Sequence, residues 1–113
     1  MMRSWLPCLG LAALFLSSDI TAADEQGPTK GAVHTVVIEN MQFTPAELSV
    51  HRGERIVWVN KDLFPHTVTA AAHAFDSGSI AAGASWTYVA GKAGEYAYGC
   101  TFHPTMKAIL RVQ

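Results

Sequence analysis

The stretch Arg55-Ile56-Val57-Trp58-Val59-Asn60 decides the fold class of this chain. Its bulky β-branched and aromatic residues favour an extended strand. In a strand, Ile56 and Trp58 point to one side and Val57 and Val59 point to the other. A strand that is apolar on both sides needs both of its faces covered. This is typical of a strand in the middle of a sheet. We therefore predict a central strand over residues 55–60.

Similar short segments flank this strand on both sides. The predicted strands are, in chain order, 33–39, 47–51, 55–60, 66–70, 85–90, 95–100 and 107–112. Turn residues such as Arg52-Gly53-Glu54 separate them, and no segment keeps a helical period over three turns. Residues 40–45 are expected to be a turn or irregular link and residues 71–83 mostly loop. The pattern predicts an all-β fold, a β-sandwich of two sheets with about seven to eight strands.

The beginning of the chain has the order of a secretory signal. A short start with Arg3 precedes an apolar run over 5–16 and a small, polar stretch that ends at Ala23. The run is shorter than the roughly 18 apolar residues of a membrane anchor, and Pro7 interrupts it. We place the cleavage after Ala23 or one residue earlier. The expected organisation is a signal peptide over 1–23, a flexible leader over 24–31 and one domain over 32–113, exported to the periplasm and not held in a membrane.

Charge and cysteine content narrow the functional classes. Eight basic and nine acidic residues give a net charge of −1, whereas a nucleic-acid-binding domain shows a basic patch. The length of 113 residues leaves no room for a large enzyme with its own cofactor domain. Of the two cysteines, Cys8 falls in the signal, so Cys100 has no partner for an internal disulfide. Its thiol is then reactive, bridged to another molecule, or a metal ligand.

The segment Cys100-Thr101-Phe102-His103-Pro104-Thr105-Met106 carries three metal-binding side chains in one short loop between two predicted strands. His66 is far upstream, but the loops of a sandwich gather at its two ends, so it can reach the same place. One thiolate, two imidazoles and a weak thioether form the blue-copper electron-transfer site. We therefore predict one type 1 copper ion bound by His66, Cys100, His103 and Met106. Zinc also accepts Cys and His, but the thioether favours copper.

At these residues the sequence resembles the cupredoxins, the small blue copper proteins. The Cys-x-x-His-x-x-Met spacing is similar to that of short-loop members of the amicyanin type. The resemblance extends over Phe43-Thr44-Pro45, Gly53-Glu54 and Pro65-His66. It implies a Greek-key sandwich and a carrier of single electrons that cycles copper between Cu(II) and Cu(I). It also implies a dehydrogenase-type donor and a c-type cytochrome or similar acceptor.

Two positions depart from the pattern of those relatives. Thr67 stands where most of them have Asn, whose side chain ties the two ligand loops together, so we expect Cys100 to be held less firmly here. Phe102 stands where the amicyanin type has Pro. Its amide N–H is a donor that proline lacks, and we expect it to reach the Cys100 sulfur.

The remaining expectations concern surfaces and competing functions. Phe64, Pro65, Phe102 and Pro104 should form an apolar docking patch around His103, and a monomer is expected. With no open coordination position on the metal, the site argues against an enzyme. The competing interpretation is a periplasmic copper-binding carrier or copper-resistance protein, which would use similar ligands. Three further histidines lie in or near strand edges without the spacing of metal-ligand partners and are expected to be solvated: His34, His51 and His73.

Overall fold

The computed structural model describes residue 10 and residues 31–113, so the predicted signal peptide and almost all of the predicted leader lie outside the described residues. The described part contains eight β-strands and one short 3-10 turn, Ala71–His73. The strands are β1 Val33–Glu39, β2 Gln42–Thr44, β3 Glu47–Val50, β4 Arg55–Asn60, β5 Thr69–Ala70, β6 Ser85–Val89, β7 Gly94–Gly99 and β8 Lys107–Val112. This confirms the all-β prediction. No helix in the described part is long and apolar enough to cross a membrane.

The strands form two four-stranded sheets. One has the order β2-β1-β4-β6 and the other the order β3-β8-β7-β5. Strand β1 is parallel to β4, and β3 is parallel to β8. Strand β4 lies between β1 and β6, with Trp58 opposite Val36 on one side and Trp86 on the other. The prediction of a central strand over 55–60 is confirmed.

The core lies between the two sheets. Ile56 and Trp58 have no exposed surface, whereas Val57 and Val59 are half-buried on the outer face of β4. The Trp58 indole N–H crosses the core and donates to the Tyr98 hydroxyl on β7 at 3.2 Å. The two rings pack edge to face with their centroids 5.6 Å apart, a favoured geometry for aromatic pairs. These contacts fix one sheet against the other.

Residues 42–44 differ from the prediction of a turn or irregular link over 40–45. They form β2 and pair antiparallel with β1. The connection is a two-residue turn in which Asn40 and Met41 have positive φ values of 53° and 60°. Such turns suit the twist of a hairpin and usually contain glycine at the second position. The sequence has Met there, so the hairpin signal is absent.

The predicted strand over 66–70 is shorter in the structure. His66 makes an isolated antiparallel bridge with Ile80, and only Thr69 and Ala70 form regular β5 pairs with β7. His66 nevertheless lies in an extended, hydrogen-bonded segment. Its amide donates to the Ile80 carbonyl at 3.1 Å, and the Ile80 amide donates back at 2.7 Å.

Candidate metal centre

The segment 100–106 is a closed loop between β7 and β8. The amide of Cys100 donates to the Met106 carbonyl at 3.4 Å, which joins the two ends of the loop. Inside it, the His103 amide donates to the Cys100 carbonyl at 3.3 Å and the Met106 amide to the His103 carbonyl at 3.0 Å. A Cβ atom on Gly99 would lie 2.6 Å from the Met106 carbonyl oxygen, so this close approach requires glycine. The loop is therefore tightly folded against the end of β7.

His66 is the candidate ligand from outside this loop. It is fully buried, and its Nε2 lies 2.7 Å from Oδ2 of Asp62. A carboxylate only accepts hydrogen bonds, so Nε2 carries the proton and Nδ1 presents its lone pair. Nδ1 lies 3.8 Å from the Cys100 sulfur. The bond to Asp62 therefore fixes both the tautomer and the ring orientation that a metal ligand needs.

Asp62 is itself held by the turn between β1 and β2. Its Oδ1 accepts from the Asn40 amide at 2.7 Å and its Oδ2 from the Met41 amide at 3.0 Å. Partial burial acts to raise the pKa of Asp62, but the amides of Met41 and Asn40 and the His66 ring together outweigh it, so its pKa is lowered. The sequence analysis did not identify this residue, because a carboxylate four residues before a loop histidine has no motif of its own.

Three of the four predicted site residues converge on one point. The ligand atoms of His66, Cys100 and His103 lie within 4.8 Å of one another. The sulfur is 3.8 Å from Nδ1 of His66 and 3.7 Å from Nδ1 of His103. An ion bonded to sulfur at about 2.3 Å and to nitrogen at about 2.0–2.1 Å, as zinc is, keeps those atoms about 3.5–3.6 Å apart at a tetrahedral angle and about 3.7–3.8 Å apart at a trigonal one. The donor atoms are thus already spaced for a single ion.

Met106 completes the predicted set at the end of the same loop. It is buried, with 2% of its surface exposed. Cys100 is also buried, at 4%, while His103 is partly exposed. A thiolate and two imidazoles with a thioether close by form the donor set of a type 1 copper centre, and the soft sulfur ligands favour Cu(I). The residues present therefore fit copper.

Thr67 ties the two ligand loops together, which corrects the expectation drawn from its replacement of Asn. Its amide donates to the Cys100 sulfur at 3.3 Å, and its Oγ1 accepts from the Thr101 amide at 2.9 Å. The two hydroxyls, of Thr67 and Thr101, are 3.2 Å apart. The threonine hydroxyl thus supplies the tie. In the described residues the hydrogen bond to the sulfur comes from Thr67, and the Phe102 amide is not placed as a donor to it.

Exposed apolar side chains stand next to the two candidate histidine ligands in the chain. Phe64 and Phe102 are 59% and 52% exposed, and Pro65 and Pro104 are exposed beside them. Leu63, which the sequence analysis did not single out, is 89% exposed. We call Leu63, Phe64 and Phe102, with the two prolines, the apolar patch. Contiguous exposed apolar surface of sufficient size marks an interaction site.

The three other histidines each lie beside a carboxylate. His34 Nε2 lies 3.1 Å from Oε1 of the buried Glu54, and His51 Nδ1 lies 3.7 Å from the same oxygen. His73 is more exposed and lies 3.5 Å from Asp76. All three side chains keep contact with solvent, being 30%, 31% and 79% exposed for His34, His51 and His73, and each also has a carboxylate neighbour.

The two-sheet fold and the donor set define a class of small β-sandwich proteins with a type 1 copper site. A family model described as a cupredoxin-like domain matches residues 7–112. The chain belongs to the cupredoxin family.

Individual relatives agree with this assignment. The chain is 30% identical to amicyanin from Paracoccus versutus over 69% of its own length and 28% identical to amicyanin from Paracoccus denitrificans over 74%. These matches span 63% and 66% of the two relatives, less than two thirds of each. Among solved structures, a reduced Cu(I) form of an amicyanin mutant at pH 4 is similar with a TM-score of 0.68 and 27% identity, over 75% of this chain and 85% of that one.

Proposed function

We propose that His66, Cys100, His103 and Met106 bind one copper ion and that the protein is a carrier of single electrons without enzymatic activity. When bound, copper supplies a one-electron couple between Cu(II) and Cu(I). The observation that carries this proposal is the spacing of the sulfur from the two Nδ1 atoms, 3.8 and 3.7 Å. The side chains need little rearrangement to hold an ion, which suits a site that must keep one geometry in two oxidation states.

The surrounding residues support the same role. Asp62 holds the His66 ring, and the Thr67 amide donates to the sulfur. A hydrogen bond to a thiolate reduces its electron donation, so the Thr67 amide favours the reduced state. The loop between Cys100 and Met106 is closed by backbone bonds, and these limit movement of three candidate ligands. In this proposal the residues around the site position the ligands and tune the thiolate.

The apolar patch fits a transient redox partner. His103 is the partly exposed candidate ligand. Phe102 precedes it in the chain, and Phe64 lies two residues before His66, whose ring centroid is 5.0 Å from that of His103. Both phenylalanines have more than half of their surface exposed. A small apolar surface with few charges suits weak complexes that form and separate quickly. We infer that electrons pass through the His103 edge, from a dehydrogenase-type donor and to a c-type cytochrome or similar acceptor.

The proposed location is the periplasm, which rests on the signal sequence predicted for residues 1–23. The mature chain would act there as a monomer, with neither a membrane nor nucleic acid as partner. The near-neutral charge supports the last point, because a net charge of −1 provides no attraction to phosphate.

The experiment that tests this function is spectroscopy and voltammetry of the copper-loaded mature protein. We expect an intense blue sulfur-to-copper absorption band, narrow copper hyperfine splitting and a reversible one-electron wave. A Cys100→Ser variant should lose the band and the wave. If this variant keeps its colour and its reversible wave, or if the protein binds zinc in preference and stays colourless, the proposal is wrong. Rapid exchange of the bound copper with a chelator would instead support a copper carrier.

A further inference from the structure

A second group of metal-binding side chains lies at the end of the sandwich opposite the metal centre. His34 is near the start of β1, which runs parallel to β4 and begins beside Arg55. Glu54 immediately precedes β4, and His51 immediately follows β3. The metal centre lies instead beyond the other ends of β4 and β7. We call His34, His51 and Glu54 the distal cluster.

The carboxylate of Glu54 is the centre of this cluster. Glu54 is 4% exposed, and its Oε1 accepts from the His51 backbone amide. The same oxygen lies 3.1 Å from Nε2 of His34 and 3.7 Å from Nδ1 of His51. The side chains of His34 and His51 are 30% and 31% exposed, so both imidazole rings are accessible from solvent. A buried carboxylate oxygen is thus flanked by two accessible imidazole nitrogens that come from different strands.

We propose that His34, His51 and Glu54 form a second, distal site for a divalent cation of the zinc type. Two imidazoles and one carboxylate form a ligand set that zinc uses, with the fourth position left to water. Ligand atoms bonded to one tetrahedral ion at about 2.0–2.2 Å are about 3.3–3.6 Å apart. The observed distances of 3.1 and 3.7 Å from Oε1 to the two nitrogens lie on either side of that value.

Binding requires a limited movement of the histidine rings. The three side chains of the distal cluster do not bring one ligand atom each within 4.8 Å of one another, as the described residues of the metal centre do. The His34 and His51 nitrogens nearest Glu54 are therefore more than 4.8 Å apart. They must approach each other by roughly an ångström or more to share one tetrahedral ion. Both rings are partly exposed and can turn, while Glu54 stays fixed by the His51 amide. The neighbouring charges of Arg52 and Arg55 are exposed and screened by salt.

This site differs from the metal centre in the chemistry of its ligands. It has no sulfur, so it does not favour Cu(I), and its open position would leave a bound ion exchangeable with solvent. It does not depend on the proposed electron-carrier function. The two proposals can therefore fail separately, since one concerns the first ion bound and the other an additional ion.

The test is a titration of the copper-loaded protein with Zn²⁺, followed by calorimetry and by metal analysis after dialysis. We expect one zinc ion per chain in addition to copper, with no loss of the blue band. Removing an outer-shell partner of a metal typically lowers affinity roughly ten- to hundredfold, so removing a direct ligand should lower it at least tenfold. We therefore expect His34→Gln and His51→Gln each to weaken zinc binding by at least about tenfold.

The matched control is His73→Gln. His73 is also a surface histidine beside a carboxylate, 3.5 Å from Asp76, but it belongs to no such group of three. This variant should bind zinc as the unmodified protein does. The histidine variants carry the test, because Glu54 is buried and its replacement risks the fold. The proposal is overturned if no zinc binds beyond the copper, or if neither His34→Gln nor His51→Gln weakens binding more than His73→Gln does.

Discussion

Oδ2 of Asp62 lies 2.7 Å from Nε2 of the fully buried His66, and the same carboxylate accepts the amides of Asn40 and Met41. Two consecutive N–H groups at positive φ form a concave anion-binding turn. The hairpin between β1 and β2 therefore holds the Asp62 carboxylate beside Nε2 of His66, the ring nitrogen that does not face the Cys100 sulfur. This chain of contacts links the first sheet to the metal centre.

Replacing Asp62 tests that link. We expect Asp62→Ala to lower copper affinity roughly ten- to hundredfold, because the His66 ring loses the partner that fixes its tautomer. The affinity can be measured by competition with a chelator. Asp62→Asn is the matched control, since its side-chain oxygen can still accept from Nε2, and it should lose less. If the alanine variant binds copper as tightly as the unmodified protein, Asp62 does not position His66.

The tie between the ligand loops leads to a second prediction. In Thr67→Val the Thr101 amide loses the acceptor that now lies 2.9 Å away, while the Thr67 amide still reaches the Cys100 sulfur. The variant also loses the contacts of this oxygen with the hydroxyls of Thr101 at 3.2 Å and Thr69 at 3.0 Å. Loss of the bond to the amide alone costs about 1 kcal/mol, and up to about 3 if the amide stays unsatisfied. Urea unfolding of the metal-free protein measures this difference. Thr67→Ser keeps the oxygen and should retain most of the stability, so equal losses in both variants would contradict the assignment.

The parts of the fold that were predicted well are those fixed by local pattern. The predicted bounds of β1, β4 and β8 match the structure, because their alternation is strong and turns bound them. Residues 66–70 were predicted less well. His66 pairs with Ile80, fourteen residues later, and that contact depends on the path of the loop between them. Strand β2 was missed because its turn places Met41 at positive φ without glycine.

In the candidate site, too, the residues fixed by local sequence were predicted and those brought together by packing were not. Cys100, His103 and Met106 share one short loop, so their spacing alone predicts that they converge. The supporting contacts could not be read in advance. Asp62 acts only because the turn containing Asn40 approaches it from another strand, and Thr101 acts only because Thr67 faces it. Such partners follow from how the sheets pack, which no local pattern encodes.

A third prediction concerns the close approach of Gly99 to the loop. In Gly99→Ala the new methyl group would lie 2.6 Å from the Met106 carbonyl oxygen, and a backbone atom must move to admit it. Overpacking of this kind costs about 1–3 kcal/mol. Because the Met106 carbonyl accepts the Cys100 amide, the blue band of the copper-loaded variant should also shift. Urea unfolding and absorption spectra measure the two effects.

The matched control for this prediction is Gly91→Ala. A Cβ atom on Gly91 would have no neighbouring atom within 4 Å, and the residue has no positive φ, so the added methyl group meets open space. A surface substitution of this kind changes stability by less than about 0.5 kcal/mol. If Gly99→Ala is as stable as Gly91→Ala and keeps an unshifted band, the loop is not packed against β7 as the structure shows.

The last prediction concerns alkaline unfolding. Burial raises the pKa of Tyr98 to about 12 from an ordinary value of 10.0, against a smaller lowering by the Trp58 hydrogen bond. The neutral phenol therefore stabilises the folded state fully below pH 10, and this stabilisation is lost as the pH rises from 10 through about 12. Two pKa units correspond to at most about 2–3 kcal/mol.

Tyr98→Phe separates this effect from other alkaline losses. The variant should be less stable at pH 8 by about 1 kcal/mol, because the Trp58 indole loses its acceptor. Between pH 8 and pH 12, however, its stability should fall less than that of the unmodified protein, since phenylalanine has no proton to lose. Urea unfolding of both proteins at several pH values in this range measures the two slopes. Parallel slopes would mean that the Tyr98 hydroxyl ionises as easily in the folded protein as in the unfolded chain, and that the contact between Trp58 and Tyr98 is not closed to water.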